Sequence, residues 1–580
     1  MSDARMRPAR RSVLTGIAAA GVASALPAVA ATLAEAPDLG PDVLILDPAM
    51  PRAAVQARLD AIFRRSERAE FGTQRQAVLF KPGRYALDVN VGFYTQVAGL
   101  GALPGDVEID GHVHCEADWN HGMALVNFWR GVENLTVRPP DGQDRWAVSQ
   151  AAPYRRVHLA GDLLLDDGGW SSGGFLADCR VDGVVRSGTQ QQWFTRASSV
   201  GGWRGANWNM VFAGVTGAPA TSFPQPPYTT LPEVPAIREK PFLQVDAGGR
   251  WSVFRPALRR GARGPSWTGG VPAGNAIPLS RFFIARPGIS AAAINAGLAR
   301  HGHLLLTPGS YPLDAPIRVA RAGTVVLGLG FPTLRPERGT AAIEVADVSG
   351  VTLAGLLVEA GATRSPVLVE IGPRGATGDH RADPTVLSDL FFRVGGAVAG
   401  KVDTCLVINS HHVIGDHLWI WRADHGAHVD WEDNAADHGV IVNGDDVTML
   451  GLFVEHFRRY QTLWNGERGR TVFYQCELPY DPPSQGAYMA GTTRGWAAYK
   501  VADHVTDHRA TGLGIYANFT ADPSIVLDSA IEAPPGAGIR FSSVTTISLG
   551  KGQGTIAHLV NDAGAAARPG AIRQTLVAYP

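Results

Sequence analysis

The chain opens the same way twice. Val43-Leu44-Ile45-Leu46-Asp47-Pro48 leads into a helical pattern (Val55, Leu59, Ile62, Phe63), then Val78-Leu79-Phe80-Lys81-Pro82-Gly83-Arg84-Tyr85 and Gly99-Leu100-Gly101. Phe282-Phe283-Ile284-Ala285-Arg286-Pro287 leads into Ile294 and Leu298, then Leu304-Leu305-Leu306-Thr307-Pro308-Gly309-Ser310-Tyr311 and Gly328-Leu329-Gly330. A shared order of strand, helix, strand, Pro-Gly-x-Tyr turn and Gly-Leu-Gly strand marks an internal duplication, so the chain divides into two like domains.

Short apolar strands follow each opening. In the first half Leu135-Thr136-Val137, Val157-His158-Leu159, Cys179-Arg180-Val181 and Ser199-Val200 succeed one another at steps near 20 residues. The second half carries Leu356-Leu357-Val358, Leu390-Phe391-Phe392, Leu418-Trp419-Ile420, Leu452-Phe453-Val454 and Val472-Phe473-Tyr474. This spacing, with 68 glycines and only 18% charged residues, predicts an all-β chain of two parallel β-solenoids, each coil adding strands to stacked sheets. The helix of each opening is expected to cap a solenoid end and cover its edge. The predicted divisions are a first solenoid over 42–216, an extended Pro/Gly-rich connection over 217–280 and a second solenoid over 281–580. Arg259, Arg260 and Arg263 in the connection are expected to be solvated or interdomain.

Residues 1–30 read as an export leader. Arg5, Arg7, Arg10 and Arg11 precede an apolar run from Val13 to Val29 that ends in Ala28-Val29-Ala30. Arg10-Arg11-Ser12-Val13-Leu14 resembles a twin-arginine signal, with a general secretory signal as the alternative. The mature chain is then periplasmic or extracellular, and no later segment reads as a membrane span. Lys+Arg 52 against Asp+Glu 53 gives a formal net charge of −1, which offers nucleic acid no attraction. Cys115, Cys179, Cys405 and Cys476 are far apart and lack metal or redox spacing; they are expected as buried free thiols.

In a solenoid, residues one coil apart stack at about 4.8 Å. Glu455 and Glu477 are such a pair. In the register that aligns Val454 with Cys476, the apolar pair faces inward and the two carboxylates outward. Like charges this close raise one pKa, as a general acid requires. Trp419, Trp421 and Trp431 precede the pair, Trp464-Asn465-Gly466-Glu467-Arg468 and Tyr480-Asp481 surround it, and aromatics on a polar β surface suit sugar rings. His411, His412, His425 and His428 read as loop or strand-surface histidines, so neither metal nor cofactor is expected.

The duplicated openings and the Glu455/Glu477 region together resemble glycoside hydrolase family 55, over roughly 42–580. The resemblance implies two tandem right-handed parallel β-helices packed side by side with a cleft between them, and hydrolysis of a β-1,3-glucan. It implies Glu477 as general acid, with Glu455, Gln150 and Ser172 holding the attacking water; Ser171 is the alternative serine. The implied mechanism is inverting, with a polysaccharide or oligosaccharide as substrate partner; the chain is expected to be a monomer.

Two other readings fit the solenoid. A polysaccharide lyase would use carboxylates such as Asp445-Asp446 or Asp433/Asp437, although Asn443-Gly444-Asp445-Asp446 reads more simply as a turn. A non-catalytic glycan-binding solenoid would need no acid at all. Nucleotide chemistry is unsupported, since no G-x-x-x-x-G-K-[ST] loop is present.

Overall fold

The computed structural model describes residues 37–580; the leader assigned to residues 1–30 lies outside them. The two openings fold alike. Val43–Leu46 and Gln76–Phe80 pair in parallel around helix α1 (Arg52–Ser66), and Phe282–Ala285 and His303–Leu306 around α2 (Ala291–His301). Ser290 caps α2, its Oγ accepting from Ala293 N at 3.2 Å, and Gly302 closes it at φ +91°. The repeated tyrosine explains the shared turn. Tyr85 Oη donates to Leu46 O and Lys81 O, and Tyr311 Oη to Ala285 O and Thr307 O, at 2.8–3.1 Å. One buried hydroxyl thus ties the first strand of each half to the turn that follows the second.

Each half is a parallel β-helix. The first half builds a 15-stranded sheet; the second builds a 13-stranded and a 9-stranded sheet. Four successive strands of the second half position the site: β1 (Val386–Val394), β2 (Ile414–Arg422), β3 (Thr448–Glu455) and β4 (Gly469–Glu477). Each bends at one stacked position with φ near +60°, at Asp389, His417, Gly451 and Phe473. The first helix bends likewise at Asn134, Arg156 and Asp178. Gly, Asn and Asp accept this left-handed backbone readily. Phe473 does not, and neighbouring rings hold it there: Phe194 stacks on it at 5.5 Å and Phe453 packs tilted at 5.1 Å.

The helices pack side by side. Phe128, Trp129, Phe175 and Phe194 of the first share one apolar cluster with Trp419, Phe453 and Phe473 of the second. Beside it runs a buried ionic network. Arg155 bonds Asp389 at 2.8 Å and Asp416 at 2.9 Å, while Arg196 binds both oxygens of Asp416, at 2.6 and 2.7 Å, and both of Glu239. His417 Nδ1 lies 2.8 Å from Asp389 and stacks on Phe175 at 4.3 Å. Burial opposes ionisation of Asp389, but Arg155, Lys240 and His417 outweigh it and hold the carboxyl well below the usual carboxylate range.

Residues 217–280 are not an extended connection throughout. Tyr228–Leu231 continues the first sheet beside Asn209–Ala213, and the rest forms two small antiparallel sheets. The reason is turn chemistry: Asp246 Oδ1 accepts from Gly248 N and Arg250 N at 2.9 and 3.0 Å, closing a hairpin at Gly248-Gly249. Glu239 and Lys240 of this segment join the network between the helices. Arg260 is exposed, yet its guanidinium donates to Arg381 O in the second helix at 2.6 Å. Cys115, Cys179, Cys405 and Cys476 are all buried and free. No helix among the described residues is long and apolar enough to cross a membrane.

Candidate active site

Strand register places the two carboxylates. Trp419 pairs with Phe453 and Trp421 with Glu455 across β2 and β3; Phe453 pairs with Gln475 across β3 and β4. That 22-residue offset brings Glu477 beside Glu455, while Val454 and Cys476 enter the core. The face carrying the acids looks toward the first helix. There Gln150, on the loop before Pro153–Leu159, donates its Nε2 to Glu455 Oε1 at 2.8 Å. Trp419 Nε1 donates to Glu455 Oε2 at 2.7 Å. Glu477 is half-buried; one oxygen meets the Tyr480 hydroxyl and the other the Gln475 amide at 3.5 Å.

These groups line one cavity of about 280 Å³, with Gln150, Ser172 and Gln191 on one wall and Asp424, His425, Glu455, His456, Glu477 and Tyr480 on the other. The two serines separate. Ser172 lines the cavity, its N donating to Ser149 Oγ at 2.8 Å and its Oγ accepting from Gln192 Nε2 at 3.0 Å. Ser171 is fully buried and bridges Gln190 within the coil. Trp419 and Trp421 stack at 5.0 Å, and Phe128 packs 4.6 Å from Trp419, so one side of the cavity is aromatic. Trp431 and Trp464 lie elsewhere; Trp464 is core.

Burial and the neighbouring Glu477 push the Glu455 carboxyl well up, and burial also raises Glu477 against the opposing pull of His456 and Tyr480. Both shifts favour the protonated form, with burial the larger cause at each carboxyl. The rest of the wall is charged. Burial would raise Asp424, but His456 and the bond from His425 hold it at about 2. Burial would lower His425, but Asp424 (3.0 Å) and Glu70 of the first helix (2.5 Å) hold it up at about 10. A fixed imidazolium therefore stands near the acid pair.

Sequence reasoning read His425 as a surface histidine and did not single out Asp424, His456 or Gln191. Asp424 and His425 sit on the loop leaving β2, and the neighbour of His456 in the strand order, Glu455, was the available signal. The carboxylates considered for a lyase have other partners: Asp445 and Asp446 pair with Arg468 at 3.2 and 2.8 Å, and Asp437 with Arg364 at 3.0 Å. Asp446 has φ +57°, as a turn residue. Among the described residues no group of three or more His, Cys, Asp or Glu is arranged to hold a metal ion.

Comparison with known proteins bears on this geometry. Residues 282–477 match the family model of the LAM55 pectate lyase-like domain. The chain is 51% identical over 541 residues to an exo-beta-1,3-glucanase of Streptomyces sp. (strain SirexAA-E / ActE), covering 93% of this chain and 89% of that protein. It superposes on the structure of sacteLam55A from Streptomyces sp. SirexAA-E with a TM-score of 0.92 at 49% identity, covering 94% of this chain and 99% of that one. A variant of sacteLam55A solved in complex with glucose matches equally. With two tandem β-helices, a carboxylate pair between them and this degree of identity, the chain is a glycoside hydrolase and belongs to family 55.

Proposed function

We propose that the protein hydrolyses β-1,3-linked glucan from a chain end, with inversion at the anomeric carbon. The carrying observation is the meeting of Gln150 with Glu455 beside Glu477, which gathers an acid and a water-holding set at one cavity from both helices. The name of the 51% identical Streptomyces protein supports both the linkage and the exo action.

The Trp419 indole can only donate, so Glu455 accepts there, and the Gln150 amide also donates to it. The Tyr480 hydroxyl and the Gln475 amide donate to Glu477. In this division of roles Glu477 holds the proton and delivers it to the departing glycosidic oxygen. Water held by Glu455, Gln150 and Ser172 attacks from the opposite face, and Glu455 takes its proton. His425 and the aromatic wall of Trp419 and Trp421 orient the terminal sugar.

The test is the product. Proton NMR during early turnover of a β-1,3-glucan should show α-glucose appearing first; β-glucose first would exclude inversion, and no release from any β-glucan would exclude the hydrolase. Export through the Arg10-Arg11 leader belongs to the same proposal; a reporter fused to residues 1–36 should leave the cytoplasm and stop doing so with Arg10→Lys and Arg11→Lys together. We also propose a monomer, because one chain supplies both walls; sedimentation should give the mass of a single chain.

A further inference from the structure

Behind the acids and the cavity serine lies a layer of buried polar side chains that the mechanism above does not use. Gln475 stands two residues before Glu477 on the same face of β4 and pairs in register with Phe453, so it neighbours both acids. Its Nε2 donates to Glu477 Oε1 at 3.5 Å. It also faces Glu455: burial and Glu477 raise that carboxyl, and Trp419 and the Gln475 amide oppose them. An amide nitrogen carries two hydrogens, so one Gln475 can donate to each carboxyl. On the first helix Gln192 Nε2 donates to Ser172 Oγ at 3.0 Å. The two glutamines face each other. Phe194 stacks on Phe473 at 5.5 Å, and a Cβ at Gly173 would fall 3.0 Å from Phe453 and 3.5 Å from Gln192 Nε2. Gln192 and Gln475 each lie two residues from that phenylalanine pair, on the side of the catalytic set.

Both glutamines are fully buried, and the side-chain oxygen of each meets no donor among the described residues. A buried amide oxygen needs one. The next coil carries two matching donors, one from each helix. Asn209 pairs in register with Gln192, and its Nδ2 meets no acceptor. Gly514 pairs in register with Gln475, and the Tyr516 hydroxyl, likewise without a partner, lies over Gly514 where a Cβ would collide with it. Asn209 and Tyr516 are also fully buried. Two acceptors thus stand against two donors, in the one arrangement that leaves both amide nitrogens turned toward the catalytic groups.

We propose that Gln475 and Gln192 are positioning residues of the hydrolysis: Gln475 spans the two carboxyls and Gln192 holds the Ser172 hydroxyl, while Tyr516 and Asn209 keep the two amides turned to the catalytic side. This rests on the glucan-hydrolase reading above. Gln475 acts through both acids, so its loss has a signature of its own. A donor favours the ionised form of a carboxyl, and removing it raises Glu455 and Glu477 together. Both limbs of the bell-shaped kcat/KM profile then move to higher pH. Asp424, His425, His456 and Tyr480 also face the pair, with Glu70 behind His425, and Tyr516 faces Glu477 with Arg573 near it. Replacing Gln475 leaves all of these in place, so the shift reports the amide.

The test measures kcat and KM on a β-1,3-glucan across the pH range for wild type, Gln475→Met and Gln192→Met, with folding checked by thermal melts. Gln475→Met should move both limbs up by about one pH unit, the size of a hydrogen bond to a charged group. Gln192→Met should lower kcat about tenfold at every pH, with KM and both limbs in place. Unmoved limbs in folded Gln475→Met would overturn the Gln475 assignment, and wild-type kcat in folded Gln192→Met that of Gln192. If either Met variant does not fold, its backing partner decides instead. Tyr516→Phe should then move the limbs the same way by less, and Asn209→Ala should lower kcat by less; unmoved limbs or wild-type kcat overturn the same assignments. Wild-type protein that releases no sugar from any β-glucan would overturn the hydrolase reading instead, and this is seen before any variant is made.

Discussion

Gln150 and Glu455 are 305 residues apart in the chain and 2.8 Å apart in the fold. Neither helix alone contains the pair, so the water-holding set exists only where the two are docked. Gln150→Ala should remove one of the two donors on Glu455 and loosen the water. We expect kcat to fall about 10- to 100-fold with stability reduced by only about 1 kcal/mol. Steady-state kinetics and urea unfolding on the same preparation check both figures.

Glu477→Gln should abolish most turnover of an unactivated glucan, by about 10²–10⁴-fold. Its effect should shrink on an aryl glucoside, whose leaving group needs little protonation. Glu455→Gln should impair both substrates, because both still need the water. Wild-type-like hydrolysis of glucan by folded Glu477→Gln protein would remove Glu477 from the mechanism.

The ionic network between the helices should dominate stability over any surface pair. Asp416 is fully buried and binds Arg155 and Arg196. Asp416→Asn leaves two buried guanidinium groups under-compensated and should cost about 3–5 kcal/mol. Asp446→Asn, whose partner Arg468 has a side chain 49% exposed, should cost about 0–1 kcal/mol. Parallel urea denaturation separates the two.

His508 gives the protein an acid sensitivity. Its ring is fully buried, Nε2 lies 2.8 Å from Tyr499 Oη, and burial pushes it down to about 3. Below about pH 6.5 the unfolded histidine binds a proton that the folded one refuses, so stability falls with pH from there toward 3. Between pH 6.5 and 5 the loss from this group is about 2 kcal/mol. His508→Gln cannot titrate and should lose less over that interval in urea melts at the two pH values.

The repeated openings and the coil spacing were readable because they are local: a Pro-Gly-x-Tyr turn and an alternation of apolar residues appear in any one copy. Glu455 and Glu477 were readable because the coil between them is a plain 22-residue turn, so register follows from counting. Trp421 pairs with Glu455 across a 34-residue step. The loop that lengthens it carries Asp424 and His425, and nothing in their neighbours announces that they fold into the cavity. Glu70 meeting His425, or Arg196 meeting Asp416, joins positions hundreds of residues apart on two separate coils. The hairpin at Gly248-Gly249 was hidden for a different reason, since the surrounding prolines argue against strands while an aspartate turn makes one.

The buried network also bears on how this chain can change over time. Duplication supplied two similar openings, yet the halves that grew from them are not interchangeable parts. Arg155 and Arg196 in one half have their counterions in Asp389 and Asp416 of the other, with Glu239 contributed by the segment between them. A half expressed by itself would carry two arginines into solvent from an apolar face and lose the aromatic cover of Phe453 and Phe473. Exchange of one half for that of a distant relative would succeed only if the charges on both faces were exchanged together, so the two helices are bound to drift as one inherited unit.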